Sequence, residues 1–230
     1  MYEILILKEG YSIREGPDQQ KACGTITLIK GLKNTIVDTG NPWDKQLILD
    51  GLQKNGLSPE KIDFVVCTHG HSDHIGNLNL FTNSIHIVSN DICVGDSYQL
   101  HDFKQGIPYE IDDDVEVIST PGHTGADVSV VVRTHDKGIV TIAGDLFERL
   151  EDLEDYTLWQ DASEYPELQL KSRMHVLHIS DWIVPGHGPM FAVPHEYRQQ
   201  PKMVMFEYHS RMDSDGSSSE VSSYHVIEED

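Results

Sequence analysis

Residues 68–76 read Thr68-His69-Gly70-His71-Ser72-Asp73-His74-Ile75-Gly76. The run places three histidines and one aspartate within six residues, directly after the apolar segment Phe64-Val65-Val66-Cys67, which we predict to be a buried strand. Imidazole nitrogen and carboxylate oxygen are the ligand atoms that Zn²⁺ prefers, and the end of a strand holds such side chains in fixed positions. The pattern therefore predicts a metal site, and we expect it to hold two ions.

Three further polar clusters follow apolar segments in the same way. They are Thr120-Pro121-Gly122-His123-Thr124-Gly125, Gly144-Asp145 and Pro185-Gly186-His187-Gly188-Pro189. Each cluster puts a histidine or an aspartate at the end of a predicted strand, beside glycines that let backbone and metal approach closely. One such cluster alone would be weak evidence. Three of them in chain order after the first motif make His123, Asp145 and His187 candidate ligands as well.

Composition limits the classes of protein that fit. A length of 230 residues suits one large α/β domain with a sizeable core. The net charge of −21 argues against broad nucleic-acid binding, which depends on neutralising phosphates, although a narrow nuclease with metals as its cationic centre stays open. The three cysteines are odd in number and lack CxxC spacing, so we expect a reducing compartment and no disulfide framework.

Strand and helix signals alternate along the chain. Strands are predicted at residues 2–7, 25–29, 35–37, 64–67, 85–88, 115–118, 128–132, 139–143 and 182–184. One helix is predicted to begin after Asn41, with Pro42 at its first position, and to end near Gly56. A second helix is predicted at residues 165–177, and the acidic run 151–155 is interpreted as a solvated loop.

The chain resembles the metallo-β-lactamase-fold superfamily of hydrolases. The residues that carry the resemblance are His69-x-His71-x-Asp73-His74, His123, Asp145, His187 and the turn Asp38-Thr39-Gly40. Within the superfamily, residues 62–193 are most similar to the family of metallo-β-lactamase domain-containing protein 1. That closer similarity is carried by residues 68–77, 127–132, 143–149 and 184–189.

The resemblance implies a fold and a set of ligands. The fold is α/β, a four-layer αβ/βα sandwich of two facing mixed β-sheets with helices outside. One ion is implied at His69, His71 and His123, a second at Asp73, His74 and His187, with Asp145 bridging them. Zn²⁺ is the expected metal, and Fe or Mn would suit the same nitrogen and oxygen atoms. The ligand positions hold no cysteine, which counts against a true β-lactamase.

Two such ions can share a water, present it as a bridging hydroxide nucleophile and polarise a carbonyl or phosphoryl group. We expect Asp73 to orient that water in addition to binding metal. Asp38 is expected to orient the metal loop without touching substrate. The sequence assigns no general acid for the leaving group, and His101, His178 and His195 are each interpreted as surface or core histidines.

The resemblance favours an endoribonuclease that cleaves a phosphodiester of RNA, as in 3′-end processing of histone pre-mRNA. The acidic charge and the lack of an inserted RNA-clamping domain weaken this hypothesis. The alternative is a small-molecule hydrolase acting on an ester or thioester, like glyoxalase II, although residues 194–230 are too short and acidic for that family's binding extension. A metal-binding protein without activity is disfavoured because the ligand set is complete.

The predicted organisation is one hydrolase domain at residues 1–209 and an acidic, Ser-rich tail at residues 210–230. The tail is expected to be disordered because it offers little apolar surface to offset the entropy of ordering. The first residues indicate a strand and no signal peptide, and we expect no membrane partner. We therefore expect a cytoplasmic protein with access to the nucleus. The family resemblance also implies a homodimer.

Overall fold

The structure, a computed structural model, describes residues 2–198, 210–212 and 218–220. The strands are β1 Glu3–Lys8, β2 Tyr11–Arg14, β3 Gln20–Cys23, β4 Ile26–Lys30, β5 Thr35–Val37, β6 Phe64–Cys67, β7 Ile85–Val88, β8 Asp91–Val94, β9 Ser97–Gln99, β10 Tyr109–Asp112, β11 Val115–Ser119, β12 Val128–Thr134, β13 Gly138–Gly144, β14 Trp182–Pro185, β15 Phe191–Ala192, β16 Ser210–Met212 and β17 Ser218–Glu220. The α-helices are α1 Lys45–Lys54, α2 Thr157–Gln160, α3 Pro166–Ile179 and α4 His195–Arg198.

Most of these strands form two mixed sheets. The first sheet has the order β1-β4-β5-β6-β7-β8-β9, and the second has the order β10-β11-β12-β13-β14-β15. Strand β6 pairs in parallel with β5 and β7, and β13 pairs in parallel with β14, while the other pairs within the two sheets are antiparallel. Strands β2 and β3 form a separate hairpin.

Adjacent residues of the central strands face opposite sides of each sheet, because side chains alternate along a strand. Val66 of β6 and Val130 of β12 belong to the apolar cluster between the two sheets. Val65, the neighbour of Val66, packs in a second cluster that includes residues of α1. Val131, the neighbour of Val130, packs in a third cluster with residues of α3. Both faces of these strands are therefore buried, which explains their apolar, valine-rich sequence.

The three clusters define four layers, which are helix, sheet, sheet and helix. In the first layer Ile48 and Leu52 of α1 are buried, and in the fourth layer Val176 and Leu177 of α3 are buried. The predicted α/β sandwich is confirmed. Pro42 begins a 3₁₀ turn at Pro42–Asp44 that leads directly into α1, and the left-handed Gly56 (φ 73°) follows the end of that helix.

The hairpin β2–β3 and the strands β8, β9, β10 and β15 were not predicted from the sequence. Most of the tail at residues 210–230 lies outside the described residues, so its predicted disorder stays a prediction. Within it, β16 and β17 pair in antiparallel register. The three cysteines are free, and within the described part of the chain no helix is long and apolar enough to cross a membrane.

Candidate metal centre

The candidate ligands come from loops that leave the carboxyl ends of strands in both sheets. The first motif follows β6 in the first sheet, and His123, Asp145 and His187 follow β11, β13 and β14 in the second. Small residues allow the loops to meet. A Cβ on Gly144 (φ 53°) would lie 2.3 Å from Thr68 Oγ1, and a Cβ on Gly186 would lie 1.9 Å from an Asp145 carboxylate oxygen.

Three of the histidines form a first group around one carboxylate oxygen. His71 Nδ1 lies 2.8 Å from His69 Nε2 and 3.1 Å from His123 Nε2. Asp145 Oδ2 lies 3.5 Å from His69 Nε2 and 3.4 Å from His123 Nε2. All four ligand atoms lie within 4.8 Å of one another, which is the spacing that a single bound cation requires.

The other three candidates form a second group on the far side of the same aspartate. Asp73 Oδ2 lies 3.9 Å from His74 Nε2 and 3.9 Å from His187 Nε2. Asp145 Oδ1 lies 3.2 Å from His74 Nε2, while Asp145 Oδ2 lies 3.1 Å from His187 Nε2. Asp145 therefore contacts both groups, and the structure brings together all seven residues that the sequence predicted.

The unpaired polar atoms of this centre show that it suits a cation. Among the described residues, Asp73 Oδ2, His74 Nε2 and Asp145 Oδ1 are buried and make no hydrogen bond. His74 Nε2 and Asp145 Oδ1 do lie 3.2 Å apart, as an ion-pair contact only. A buried polar atom without a partner is costly, so three that converge on one place need an explanation. A divalent ion bound by nitrogen and oxygen ligands would satisfy all three, and the residues present therefore fit such a metal.

The outer nitrogens of two histidines are held so that their inner nitrogens face the centre. His74 Nδ1 lies 2.8 Å from Asp38 Oδ2, and His187 Nδ1 donates to the carbonyl of Cys23 at 3.1 Å. Asp38 has a positive φ of 58° and also accepts the Thr68 backbone N–H at 2.8 Å. Such partners fix the orientation of a metal-binding histidine. Asp38 lies where the sequence predicted it, behind the metal loop.

Comparisons with known proteins decide the family. A model of the metallo-β-lactamase superfamily matches residues 24–89. A Xenopus laevis protein named metallo-β-lactamase domain-containing protein 1 is 45% identical over 194 residues, which cover 84% of this chain and 82% of that protein. This chain belongs to the metallo-β-lactamase superfamily. The resemblance predicted from the motifs is confirmed, and membership supports a metal-dependent hydrolase.

Solved structures of the superfamily share the fold at lower sequence identity. A Thermotoga maritima structure covers 83% of this chain and 99% of its own, with a TM-score of 0.62 and 21% identity. A dizinc quorum-quenching lactonase in complex with its product covers 91% of this chain and 82% of its own, with a TM-score of 0.57 and 16% identity.

Charge around the shared aspartate is balanced by the surrounding imidazoles. Burial disfavours charge on His74, but the carboxylates of Asp145 and Asp38 outweigh it and raise the pKa of His74 well above its usual value. Burial and the neighbouring imidazoles, His74 foremost, lower the pKa of His69 well below its usual value. The pKa of Asp145 is held well below its usual value, because its imidazole neighbours outweigh the effect of burial.

Glu148 joins this superfamily site, although sequence analysis assigned it no role. Its carboxylate lies in a further group with Asp145 and His187, within 4.8 Å. Burial, with the nearby Asp145 charge, raises the pKa of Glu148 to about 8. In the sequence, Glu148 lies three residues after a predicted ligand and within the stretch 143–149 that carries the closer family similarity, but neither signal distinguishes a site residue from a loop residue.

The acidic run at residues 151–155 is not wholly the solvated loop that we predicted. Asp152 is fully buried and pairs with the buried Arg173 of α3, with Oδ1 at 2.6 Å from Arg173 Nη2. Its other oxygen accepts the Glu148 backbone N–H at 2.7 Å. The prediction was wrong for this residue because the partner lies 21 positions away and no local pattern reveals it.

Helix α3 holds two of the ligand loops in place. Gln169 donates to the carbonyl of Asp145 at 3.0 Å, and Ser172 donates to the carbonyl of Pro121 at 2.7 Å. Gly122, next to the candidate ligand His123, has a φ of 148°, and a Cβ there would lie 2.1 Å from Gln169 Cα. The helix therefore fixes the spacing between the His123 loop and the Asp145 loop.

The three histidines considered as general acids do not enter the described ligand groups. His101 Nε2 donates to the carbonyl of Ile107 at 2.9 Å, and its ring packs against Phe103 with centroids 4.5 Å apart. His178 and His195 lie on α3 and α4. The interpretation of His101 as a packing residue agrees with these contacts.

Proposed function

We propose that this chain is a di-metal hydrolase that cleaves a phosphodiester bond of RNA. One observation carries the proposal: the Asp145 carboxylate lies between two groups of ligand atoms and contacts both. A single ion needs only one such group. A carboxylate shared by two groups suits a pair of ions that act together on one water and one phosphoryl group.

The proposed ligands are those predicted from the sequence. His69, His71 and His123 would hold one ion, Asp73, His74 and His187 would hold the other, and Asp145 would bridge them. When bound, the two ions would supply an activated water and stabilise the charge that develops on the phosphoryl oxygens. Zn²⁺ suits these ligands best, with Fe or Mn as the other candidates.

The protein's own residues supply orientation. Asp73 is half-buried, and its unpaired Oδ2 faces the second group, which suits it to accept a hydrogen bond from the attacking water. Asp38 and the Cys23 carbonyl keep the inner nitrogens of His74 and His187 in place. Positions set before substrate arrives need no reorganisation during the reaction, which is the main source of electrostatic catalysis.

The choice of RNA rests on the family resemblance. The relatives that carry the name metallo-β-lactamase domain-containing protein 1 match most of this chain. The resemblance to that family implies cleavage at the 3′ end of histone pre-mRNA. A substrate of this kind would place the protein in the nucleus as well as the cytoplasm.

A small-molecule ester or thioester hydrolase is the second candidate. The net charge of −21 is no obstacle to a small substrate, whereas it repels RNA at long range. The fold is also shared with a dizinc lactonase, which opens a ring ester. The metal ligands proposed here would serve both reactions, so the substrate is decided by the surface beside them.

The first experiment measures metal content by elemental mass spectrometry on protein purified without chelators. The same preparation is then assayed with a short single-stranded RNA and with S-lactoylglutathione. The Asp145→Asn variant, purified in parallel, controls for contaminating ribonuclease. We expect two ions per chain and RNA cleavage by the wild-type protein, with no cleavage by Asp145→Asn. Thioester hydrolysis without RNA cleavage would refute the nuclease and favour the small-molecule hydrolase. One ion per chain or none would refute the di-metal assignment.

A further inference from the structure

An open cavity lies directly beside the metal centre. One wall is the hairpin β2–β3, and the other is the segment that follows Asp145. Its volume is about 510 Å³, and its lining includes Arg14, Asp18, Glu148, Arg149, Leu158 and Asp161. Glu148 lines the cavity and also lies within 4.8 Å of Asp145 and His187. A molecule bound in the cavity would therefore extend to the reacting centre.

Two guanidinium groups belong to this cavity. Arg14 Nη2 contacts the carbonyl of Pro17 at 3.4 Å, and Arg149 Nη1 contacts the carbonyl of Ser12 at 3.4 Å. The carboxylate of Glu151 is 3.9 Å from Arg149 Nε, which is too long for a hydrogen bond. A guanidinium has five N–H donors, so these contacts leave most of the donors of both side chains available.

Three other arginines have their own partners elsewhere in the fold. Arg173 is buried against Asp152, Arg198 pairs with Asp181, and Arg133 donates to the carbonyl of Asp113 at 3.0 Å. The cavity holds two of the 17 basic residues of the chain, and its lining also includes three of the 38 acidic ones, Asp18, Glu148 and Asp161. The planar fork of a guanidinium matches the oxygens of a phosphate.

The rest of the lining argues for a ligand that is more than a bare anion. Asp18 and Asp161 are exposed at the same cavity and would repel inorganic phosphate, but they can accept hydrogen bonds from the N–H groups of a base. Pro17 and Leu158 provide apolar surface for the face of a ring. The lining therefore suits a ligand with a phosphate, N–H donors and a flat apolar face. A nucleotide has all three.

We propose that this cavity is a nucleotide subsite that holds the RNA next to the scissile phosphodiester. Arg14 and Arg149 bind the neighbouring phosphate, and the base lies between the hairpin and the segment at residues 157–162. This inference rests on the proposed function and names its substrate-binding surface. In a strongly acidic chain, these two guanidinium groups would supply attraction for a phosphate beside the metals.

The test uses adenosine 3′,5′-bisphosphate and adenosine 5′-monophosphate, titrated calorimetrically into the metal-loaded protein. One phosphate of the bisphosphate can reach the metals while the other reaches the arginines. The variants are Arg14→Gln and Arg149→Gln, and Arg133→Gln is the matched control. We expect the bisphosphate to bind at least about ten-fold more tightly than the monophosphate, because its second phosphate adds charged hydrogen bonds to the arginines. Each cavity variant should lose most of that difference, and the control should keep it.

Two kinetic measurements separate this inference from the proposed function. The cavity variants should raise KM for a short RNA by about ten-fold, because each one loses a charged hydrogen bond to the neighbouring phosphate. For bis(4-nitrophenyl) phosphate, which has no neighbouring phosphate, the two variants should lose much less activity than for RNA, and Arg133→Gln should match the wild-type protein on both substrates. RNA cleavage unaffected by either variant, or equal affinity for the two nucleotides, overturns the subsite. The wild-type protein could fail to cleave RNA and still bind the bisphosphate more tightly than the monophosphate, with that difference lost in both variants. This outcome would refute the nuclease proposal and support the subsite.

Discussion

The buried ion pair between α3 and the loop after Asp145 gives a sharp prediction. Arg173 is 2% exposed and donates to both carboxylate oxygens of Asp152, at 2.6 and 3.0 Å, and to the Leu146 carbonyl at 2.7 Å. Its guanidinium carbon lies 4.2 Å from the Phe147 ring centroid and 4.8 Å from that of Trp159. Arg173→Met keeps the apolar contacts and removes every donor.

The expected cost follows from leaving Asp152 buried without its cation. Removing one partner of a buried ion pair destabilises a protein by about 3–5 kcal/mol. At the ratio of about 2–4 °C per kcal/mol expected for a domain of this size, the melting temperature should fall by roughly 6–20 °C. The double variant Arg173→Met with Asp152→Leu should recover part of the loss, because it removes the unpaired charge as well.

The assay is urea and thermal unfolding of the metal-loaded protein and of the same protein with chelator. Arg198→Gln is the control, because Arg198 pairs with Asp181 at the surface and such pairs contribute only about 0–1 kcal/mol. Metal affinity is measured in parallel, since the Leu146 carbonyl directly follows Asp145. A cost below about 1 kcal/mol for Arg173→Met, or a double variant as unstable as the sum of the single variants, would show that the pair is not buried as the structure has it.

Four further predictions concern the metal centre. Asp145→Ala should bind fewer than two ions and lose hydrolysis, and full activity with two ions by elemental analysis would refute the bridging role. Gly122→Ala should cost about 3 kcal/mol in urea unfolding because its Cβ would overlap Gln169, whereas Gly16→Ala, with open space around its Cβ, should cost far less. Asp38→Asn, which tolerates a positive φ, should lower metal affinity by about 10–100-fold in a competitive chelator titration, with little change in the circular dichroism spectrum. Chelation of the wild-type protein should lower its stability by about 4 kcal/mol relative to metal at a thousand times Kd, without unfolding it.

Local sequence predicted the central strands because burial of both faces favours a run composed mostly of β-branched residues. Residues 128–132 and 139–143 show such runs, and both lie within strands of the second sheet. The missed strands are short or exposed. Strand β9, Ser97–Gln99, is exposed along its whole length, and β15 has only two residues. Neither one can show a periodic pattern, so they form because longer neighbours offer them backbone partners.

The ligand positions were predictable for a different reason. Each follows a strand whose end is marked by glycine, and all the strands meet at one edge of the sandwich. The residues that support them were not predictable, because their partners are distant in sequence. Gln169 lies 24 positions from the Asp145 carbonyl that it binds, and Ser172 lies 51 positions from that of Pro121. Such contacts depend on how α3 packs, which no local pattern encodes.

The position of the centre between the two sheets explains why the site can exist before metal binds. Backbone hydrogen bonds join the ligand loops across the sheets, from Val128 N to the Thr68 carbonyl at 2.9 Å and from Thr25 N to the Gly186 carbonyl at 2.8 Å. These bonds need no metal, and the apolar cluster between the sheets lies beneath them. The ions would therefore bind to a surface that the fold has already assembled, so their binding energy would add to stability without being the condition for folding.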